Sequence, residues 1–97
     1  MNAFAQLGLN DDIVQAIQKL GFENPTPIQE KSIPHLLTST QDLVAFAQTG
    51  TGKTGAFGLP AVHLSKPEDK RTQTLILCPT RELCIQISKD LNNFAKN

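Results

Sequence analysis

At 97 residues the chain has the size of one small domain, whose core is marginal unless other contacts supplement it. Nine basic and nine acidic residues cancel to zero formal charge, which excludes the strongly basic balance of a self-sufficient nucleic-acid binder but leaves room for a local phosphate-binding groove. No apolar run approaches the roughly 18 residues of a membrane span, and the N-terminus has no basic and hydrophobic leader pattern, so no membrane partner is expected and the cytoplasm is the expected compartment.

In chain order, Asn10 followed by Asp11 and Asp12 predicts a helix start: a capping side chain, then acids at the positive end of the macrodipole. Ile13, Ile17 and Leu20, with Val14 and Ala16 beside them, form an apolar stripe at helical spacing. Gly21 stands where a C-terminal cap glycine belongs. A second helix starts at Thr26 as N-cap, with Pro27 at its first position and Gln29 completing a capping box. Ile28, Ile33, Leu36 and Leu37 then face inward, and Pro34 implies a kink or an early end.

Residues 43–47, Leu-Val-Ala-Phe-Ala, read as a short and fully buried strand of the parallel type. A glycine-rich loop follows, then a helix from about Lys53 to Leu64, poor by propensity because of Gly55, Gly58 and Pro60. Residues 66–72 are polar, contain Pro67 and read as a surface loop. Residues 74–78 are a second buried strand, after which Pro79 and Thr80 open a long helix with Leu83, Ile87, Leu91 and Phe94 on one face. Cys78 and Cys84 lie in apolar runs and read as small buried thiols, neither a disulfide scaffold nor a zinc-ligand set. The order strand, glycine loop, helix, strand is a βαβ unit with a right-handed crossover, which places the chain in the α/β class with a parallel sheet of the P-loop kind.

The glycine-rich segment is Ala47-Gln48-Thr49-Gly50-Thr51-Gly52-Lys53-Thr54. Its glycines let the backbone fold back with several N–H groups pointing inward, at the positive end of a helix, which makes an anion site. Lys53 reaches the β- and γ-phosphates of a nucleotide, and the Thr54 hydroxyl is placed to ligate Mg²⁺. ATP and Mg²⁺ are the expected cofactors. Ala47 departs from the general pattern, which has glycine there.

Gly21-Phe22-Glu23-Asn24-Pro25-Thr26-Pro27-Ile28-Gln29 carries two readings. One is a turn into a capped helix, with Gln29 bonding backbone. In the other, the Gln29 amide, both donor and acceptor, pairs with the two groups that an adenine edge presents. Phe4 either stacks on the base or anchors the N-terminal segment in the core.

Together these residues resemble the DEAD-box family of ATP-dependent RNA helicases. Gly21 to Gln29 is similar to that family's Q motif, with Phe4 at the upstream aromatic position seventeen residues before Gly21. Ala47 to Thr54 is similar to its motif I, in which alanine is the usual first residue. Pro79-Thr80-Arg81-Glu82-Leu83 is similar to motif Ia. The resemblance implies a RecA-like ATP-binding domain, with residues 1–30 as the Q-motif region and 42–97 as the P-loop βαβ unit and motif Ia helix. It implies that Phe4 and Gln29 recognise adenine, and that Ala47, Gln48, Thr49, Gly50, Thr51, Gly52, Lys53 and Thr54 hold the phosphates and Mg²⁺. Pro79, Thr80 and Arg81 then face RNA, contacting its sugar-phosphate backbone without reading its sequence.

No Asp-Glu-Ala-Asp sequence occurs in these 97 residues, nor the family's Ser-Ala-Thr motif or a second RecA-like domain with its arginine finger. This stretch by itself is therefore expected neither to hydrolyse ATP at a useful rate nor to unwind RNA. Open sheet edges template pairing with other chains, so an oligomeric, strand-exchanged or partner-bound state is expected. The competing readings are a P-loop phosphotransferase and a catalytically silent interaction fragment.

Overall fold

In the computed structural model, which describes residues 3–46 and 53–96, the regular structure among the described residues is a 3-10 turn at Ala5–Leu7 followed by four α-helices. Helix α1 spans Asp11–Lys19, α2 Pro27–Thr38, α3 Lys53–Leu64 and α4 Arg81–Phe94. Each predicted helix is present, and the 3-10 turn was not foreseen.

The helix ends follow the local chemistry of the sequence. Asn10 caps α1, its side-chain oxygen accepting the Ile13 N–H at 3.0 Å. At the other end Gly21 has φ +91°, a left-handed conformation that favours glycine. Gly21 N–H donates to the Gln18 carbonyl and Phe22 N–H to the Ile17 carbonyl, each at 3.0 Å. That bond pair is a Schellman closure, and it turns the chain so that Phe22 folds back against α1. In α2 both halves of the capping box form: Thr26 Oγ1 accepts from Gln29 N–H at 3.4 Å and Gln29 Oε1 from Thr26 N–H at 3.0 Å. Pro34 does not end α2 early, since the helix continues to Thr38. The carbonyl that Pro34 leaves without its N–H partner belongs to Glu30, an exposed residue, where solvent can take the bond.

The core gathers Phe4, Leu9, Ile13, Val14, Ile17, Ile33, Leu59 and Phe94, with Phe22, Leu37, Val62 and Leu91 packed on it. Helix α3 lies between α2 and α4 and touches α1 as well. A bond from Asn10 N–H to His63 Nδ1, 3.1 Å long, ties the start of α1 to the end of α3. The residues that made α3 unattractive as a helix have a packing purpose. A Cβ on Gly58 would meet Leu91 Cδ2 at 2.8 Å, and one on Gly55 would meet Gln29 Nε2 at 2.7 Å. Their missing side chains let α4 and α2 approach the α3 backbone. Gly58→Val is therefore expected to lower stability by about 1–3 kcal/mol through overpacking. In a thermal melt this is a drop of several degrees, and an unchanged midpoint would show that α4 can move aside.

Three expectations are corrected. Residues 43–46 and 74–78 form no strand among the described residues, and they are not buried: Val44 is 81% exposed, Phe46 91%, Leu75 79% and Leu77 85%. A strand needs a neighbour for its backbone groups, and these two segments do not pair with each other. The α/β parallel sheet is thus absent from the described residues, although both segments run along grooves bordered by Phe57 of α3. Residue 47, the end of the first predicted strand, lies outside the described residues. Leu20, read as part of the buried stripe, is exposed, because it caps α1 just where the chain turns away. Cys84 is exposed and Cys78 half-buried, since Cys84 sits off the apolar face of α4 and the segment of Cys78 is uncovered. No helix among the described residues is long and apolar enough to cross a membrane.

Candidate functional site

Four chain segments converge on a cavity of about 540 Å³, a volume within the range of small-molecule sites. Helix α3 brings Lys53, Thr54 and Gly55 from its first turn, α2 brings Gln29, the turn after α1 brings Phe22, and α4 brings Asp90 and Asn93. The first-turn N–H groups of a helix have no partner within it, so this wall is positive in potential and carries the Lys53 ammonium on an exposed side chain. Thr54 is half-buried beside it. Of the predicted phosphate loop, residues Ala47, Gln48, Thr49, Gly50, Thr51 and Gly52 lie outside the described residues.

Gln29 is 3% exposed and fixed at both ends. Its Oε1 is held by the Thr26 N–H, and its Nε2 lies over Gly55, where a Cβ would stand at 2.7 Å. The two readings of Gln29 are therefore compatible. A side-chain amide has two acceptor lone pairs and two N–H donors, so the capping bond from Thr26 N–H draws on only part of its hydrogen-bonding capacity. The capping box also fixes the rotamer at the site.

Phe4 and Phe22 divide what the sequence assigned to one aromatic. Phe4 is 1% exposed and belongs to the core. Its ring lies 5.9 Å from that of Phe22, tilted at 43°, and Phe22 in turn meets Phe94 edge-on at 5.9 Å. Phe22 alone of these two phenylalanines borders the cavity. It was overlooked because the residue after a cap glycine normally only closes the helix end. Asp90 and Asn93 were also missed. The signal for Asp90 was its place three residues after Ile87 and four before Phe94, a charged residue interrupting the apolar stripe of α4.

Pro79, Thr80 and Arg81 are exposed at the start of α4. Thr80 is its N-cap, with Oγ1 accepting the Leu83 N–H at 3.2 Å. Leu83, one residue beyond Arg81 and Glu82, lines the cavity, so the exposed turn and the cavity share the first turn of α4. Among the described residues no cluster of three or more His, Cys, Asp or Glu side chains could hold a metal ion.

A second cavity, about 530 Å³, lies on the other side of Lys53 among Ile28, Leu36, Leu43, Phe46 and Phe57. Its wall is the apolar face left open by the unpaired residues 43–46. The Gln29 side is the better candidate because convergent polar groups there can fix a ligand's orientation.

Comparison with known proteins shows what the whole chain is similar to. The ATP-dependent RNA helicase CshA of Listeria monocytogenes is 50% identical over 91 residues, covering 94% of this chain and 17% of that protein. The ATP-dependent RNA helicase DeaD of Escherichia coli is 48% identical over 94 residues, covering 97% of this chain and 15% of that protein. The chain thus spans less than a fifth of the length of these relatives. Among solved structures, S. cerevisiae Dbp5 bound to RNA and ADP BeF3 superposes with a TM-score of 0.93 at 35% identity, over 99% of this chain and 25% of the other. A DEAD box protein from the hyperthermophile Methanococcus jannaschii gives 0.91 at 41% identity, over 96% and 25%. The profile of the DEAD/DEAH box helicase family matches residues 26–97, from the Thr26 cap through Lys53 and Arg81 to the last residue, and the chain belongs to that family.

Proposed function

We propose that this chain is the ATP-binding part of an ATP-dependent RNA helicase, holding the nucleotide in the Gln29–Lys53 cavity and presenting the Thr80–Arg81 turn to an RNA backbone. The observation that carries the reading is the convergence of Phe22, Gln29, Lys53 and Thr54 on one cavity. Adenine stacks on Phe22, whose ring is held by Phe4 and Phe94, and bonds the Gln29 amide. Phe4 acts through Phe22 rather than on the base. Lys53 and the first-turn N–H groups of α3 take the phosphates. Thr54 fits Mg²⁺, because that ion asks little of a protein beyond one or two oxygen ligands and completes its shell with phosphate oxygens and water. When bound, the ion neutralises phosphate charge. The exposed helix N-terminus at Thr80 suits a phosphate of RNA, and Arg81 beside it adds a cation that positions the strand without reading bases.

Residues 43–47 and 74–78 become strands of a RecA-like parallel sheet once other strands pair with them. The exposure of their apolar side chains supports that reading, and supports association with a further strand, from this protein or a second copy, where none is already in place. The cytoplasm is the proposed compartment.

Equilibrium binding of fluorescent ATP and GTP analogues to the chain and to Gln29→Ala tests the base-recognition half of this proposal. The wild type is expected to prefer ATP. The variant is expected to lose about 1–3 kcal/mol of that discrimination, the worth of a bidentate amide–adenine pair. Equal affinity of the wild type for both nucleotides would sink it.

A further inference from the structure

Two of the polar side chains that border the Gln29–Lys53 cavity have no task in the nucleotide complex proposed above. Gln29 is matched to the base, and Lys53 and Thr54 to the phosphates and Mg²⁺, which leaves Asp90 and Asn93 on the α4 wall. Three residues apart, these two project from one face of the helix, and both are half-buried. Asp90 is also held in place, because Gln86 Nε2, one turn earlier, donates to its Oδ1 at 3.2 Å. That bond leaves Oδ2 able to accept from a further donor. Among the described residues Asp90 enters no salt bridge, with Lys53 or with any other cation.

The chemistry of a carboxylate narrows what it could take from a nucleotide. It repels a triphosphate, and it has no proton to offer the ring nitrogens of a base. It accepts only. Once the adenine amine is bonded to Gln29, the strongest donors left on ATP are the ribose hydroxyls. The placement agrees with that pairing. Asp90 stands one helical turn, ~5.4 Å along the axis, before Phe94, whose ring meets Phe22 edge-on at 5.9 Å. Phe22 is the platform for the base, and a sugar lies between base and phosphates. Asp90 borders the same cavity as Phe22 and Lys53.

We propose that Asp90 accepts a hydrogen bond from a ribose hydroxyl and thereby makes the site selective for ribonucleoside over deoxyribonucleoside triphosphates. Gln86 is the positioning residue that fixes its rotamer. The assignment rests on the proposed nucleotide site. It gives the cavity a positive wall at Lys53 and a negative one at Asp90, so the triphosphate is drawn to α3 and the uncharged sugar is left to α4. A site arranged around a ligand hydroxyl rejects the analogue that lacks it, because the acceptor stays desolvated without a partner.

The test measures the affinities of ATP, 2′-deoxy-ATP, 3′-deoxy-ATP and GTP for the whole 97-residue chain with Mg²⁺. Each displaces an ATP analogue labelled on its γ-phosphate, because a label on the sugar would mask the hydroxyls. ATP is expected to bind about tenfold more tightly than one or both deoxy analogues, the low end for a hydrogen bond to a charged group, as suits a half-buried site. In Asp90→Ala the ATP and deoxy-ATP affinities should converge, and Asp90→Asn and Gln86→Ala should give intermediate ratios. The ratio is the informative readout. ATP and its deoxy analogues carry the same triphosphate and meet the same folded fraction, so altered phosphate repulsion or stability cancels from it. ATP preferred over GTP but bound no better than either deoxy analogue would overturn the role of Asp90 alone, as would a preference for ATP that survives undiminished in Asp90→Ala. Binding of none of the nucleotides by the unmodified chain would overturn the nucleotide site, and the role of Asp90 with it.

Discussion

Phe4→Ala is expected to destabilise the chain by about 3–5 kcal/mol, the usual cost of removing a buried phenylalanine and leaving its cavity. Phe4 is 1% exposed and sits with Ile17, Ile33 and Leu59 in the core. A domain of this size has only about 5–15 kcal/mol of total stability, so roughly a fifth or more is at stake from one residue. The aromatic neighbour matters beyond volume. Phe4 and Phe94 hold Phe22 from two sides, each 5.9 Å away, and Phe22 borders the Gln29–Lys53 cavity. Phe4→Leu retains most of the buried volume and separates the effects: it should stay folded while ATP affinity falls through a looser Phe22. Urea unfolding of both variants, with nucleotide binding measured on Phe4→Leu, checks this. A denaturation midpoint for Phe4→Ala equal to that of the wild type would remove Phe4 from the core and restore it as a candidate for direct stacking.

Lys53→Ala is expected to weaken ATP binding by about 10- to 150-fold, the equivalent of the 1.5–3 kcal/mol that a hydrogen bond to a charged group contributes. Stability should hardly change, because Lys53 is exposed on the first turn of α3 and ends no buried network. The contrast with Phe4 is diagnostic: one substitution acts on folding, the other on the ligand. Calorimetric titration with ATP, alongside a melt, reads both at once. Lys53→Arg keeps the charge but changes its reach and shape, so an intermediate loss is expected. ATP binding by Lys53→Ala at wild-type strength would move the phosphate site away from α3 altogether.

Much of this was legible in the residues because it is local. Asn10, Thr26 and Thr80 cap helices through bonds spanning three residues, and such bonds depend on little beyond the sequence around them. Gly21 was legible for the same reason, since its positive φ closes a helix that ends beside it. The positions of Lys53 and Thr54 at the head of α3 followed from the glycine loop before them. What failed was whatever needed a distant partner. Residues 43–47 and 74–78 have the composition of buried strands, but burial is a property of what lies against them, and Val44 and Leu77 stand open. The cysteines were misjudged by the same error, an apolar run being taken for a buried one.

Phe4 and Phe22 show the limit at the site itself. The resemblance singled out Phe4 by its spacing before Gly21, and the sequence does not say which phenylalanine, Phe4 or Phe22, borders a cavity. The Schellman closure at Gly21 and the packing of α4 decide it, putting Phe22 at the cavity and Phe4 behind it. Gly55 and Gly58 looked like defects in a helix until Gln29 and Leu91 were found against their backbones.

By itself, then, the sequence determined the helices, their caps, the Lys53–Thr54 pair and the family to which the motifs belong, since these rest on bonds and patterns within a few residues. Only the tertiary structure decided which phenylalanine meets the cavity, why α3 tolerates its glycines, and which apolar segments and thiols remain uncovered. Each of these depends on surfaces brought together from far along the chain, where propensity and periodicity carry no information about the neighbour.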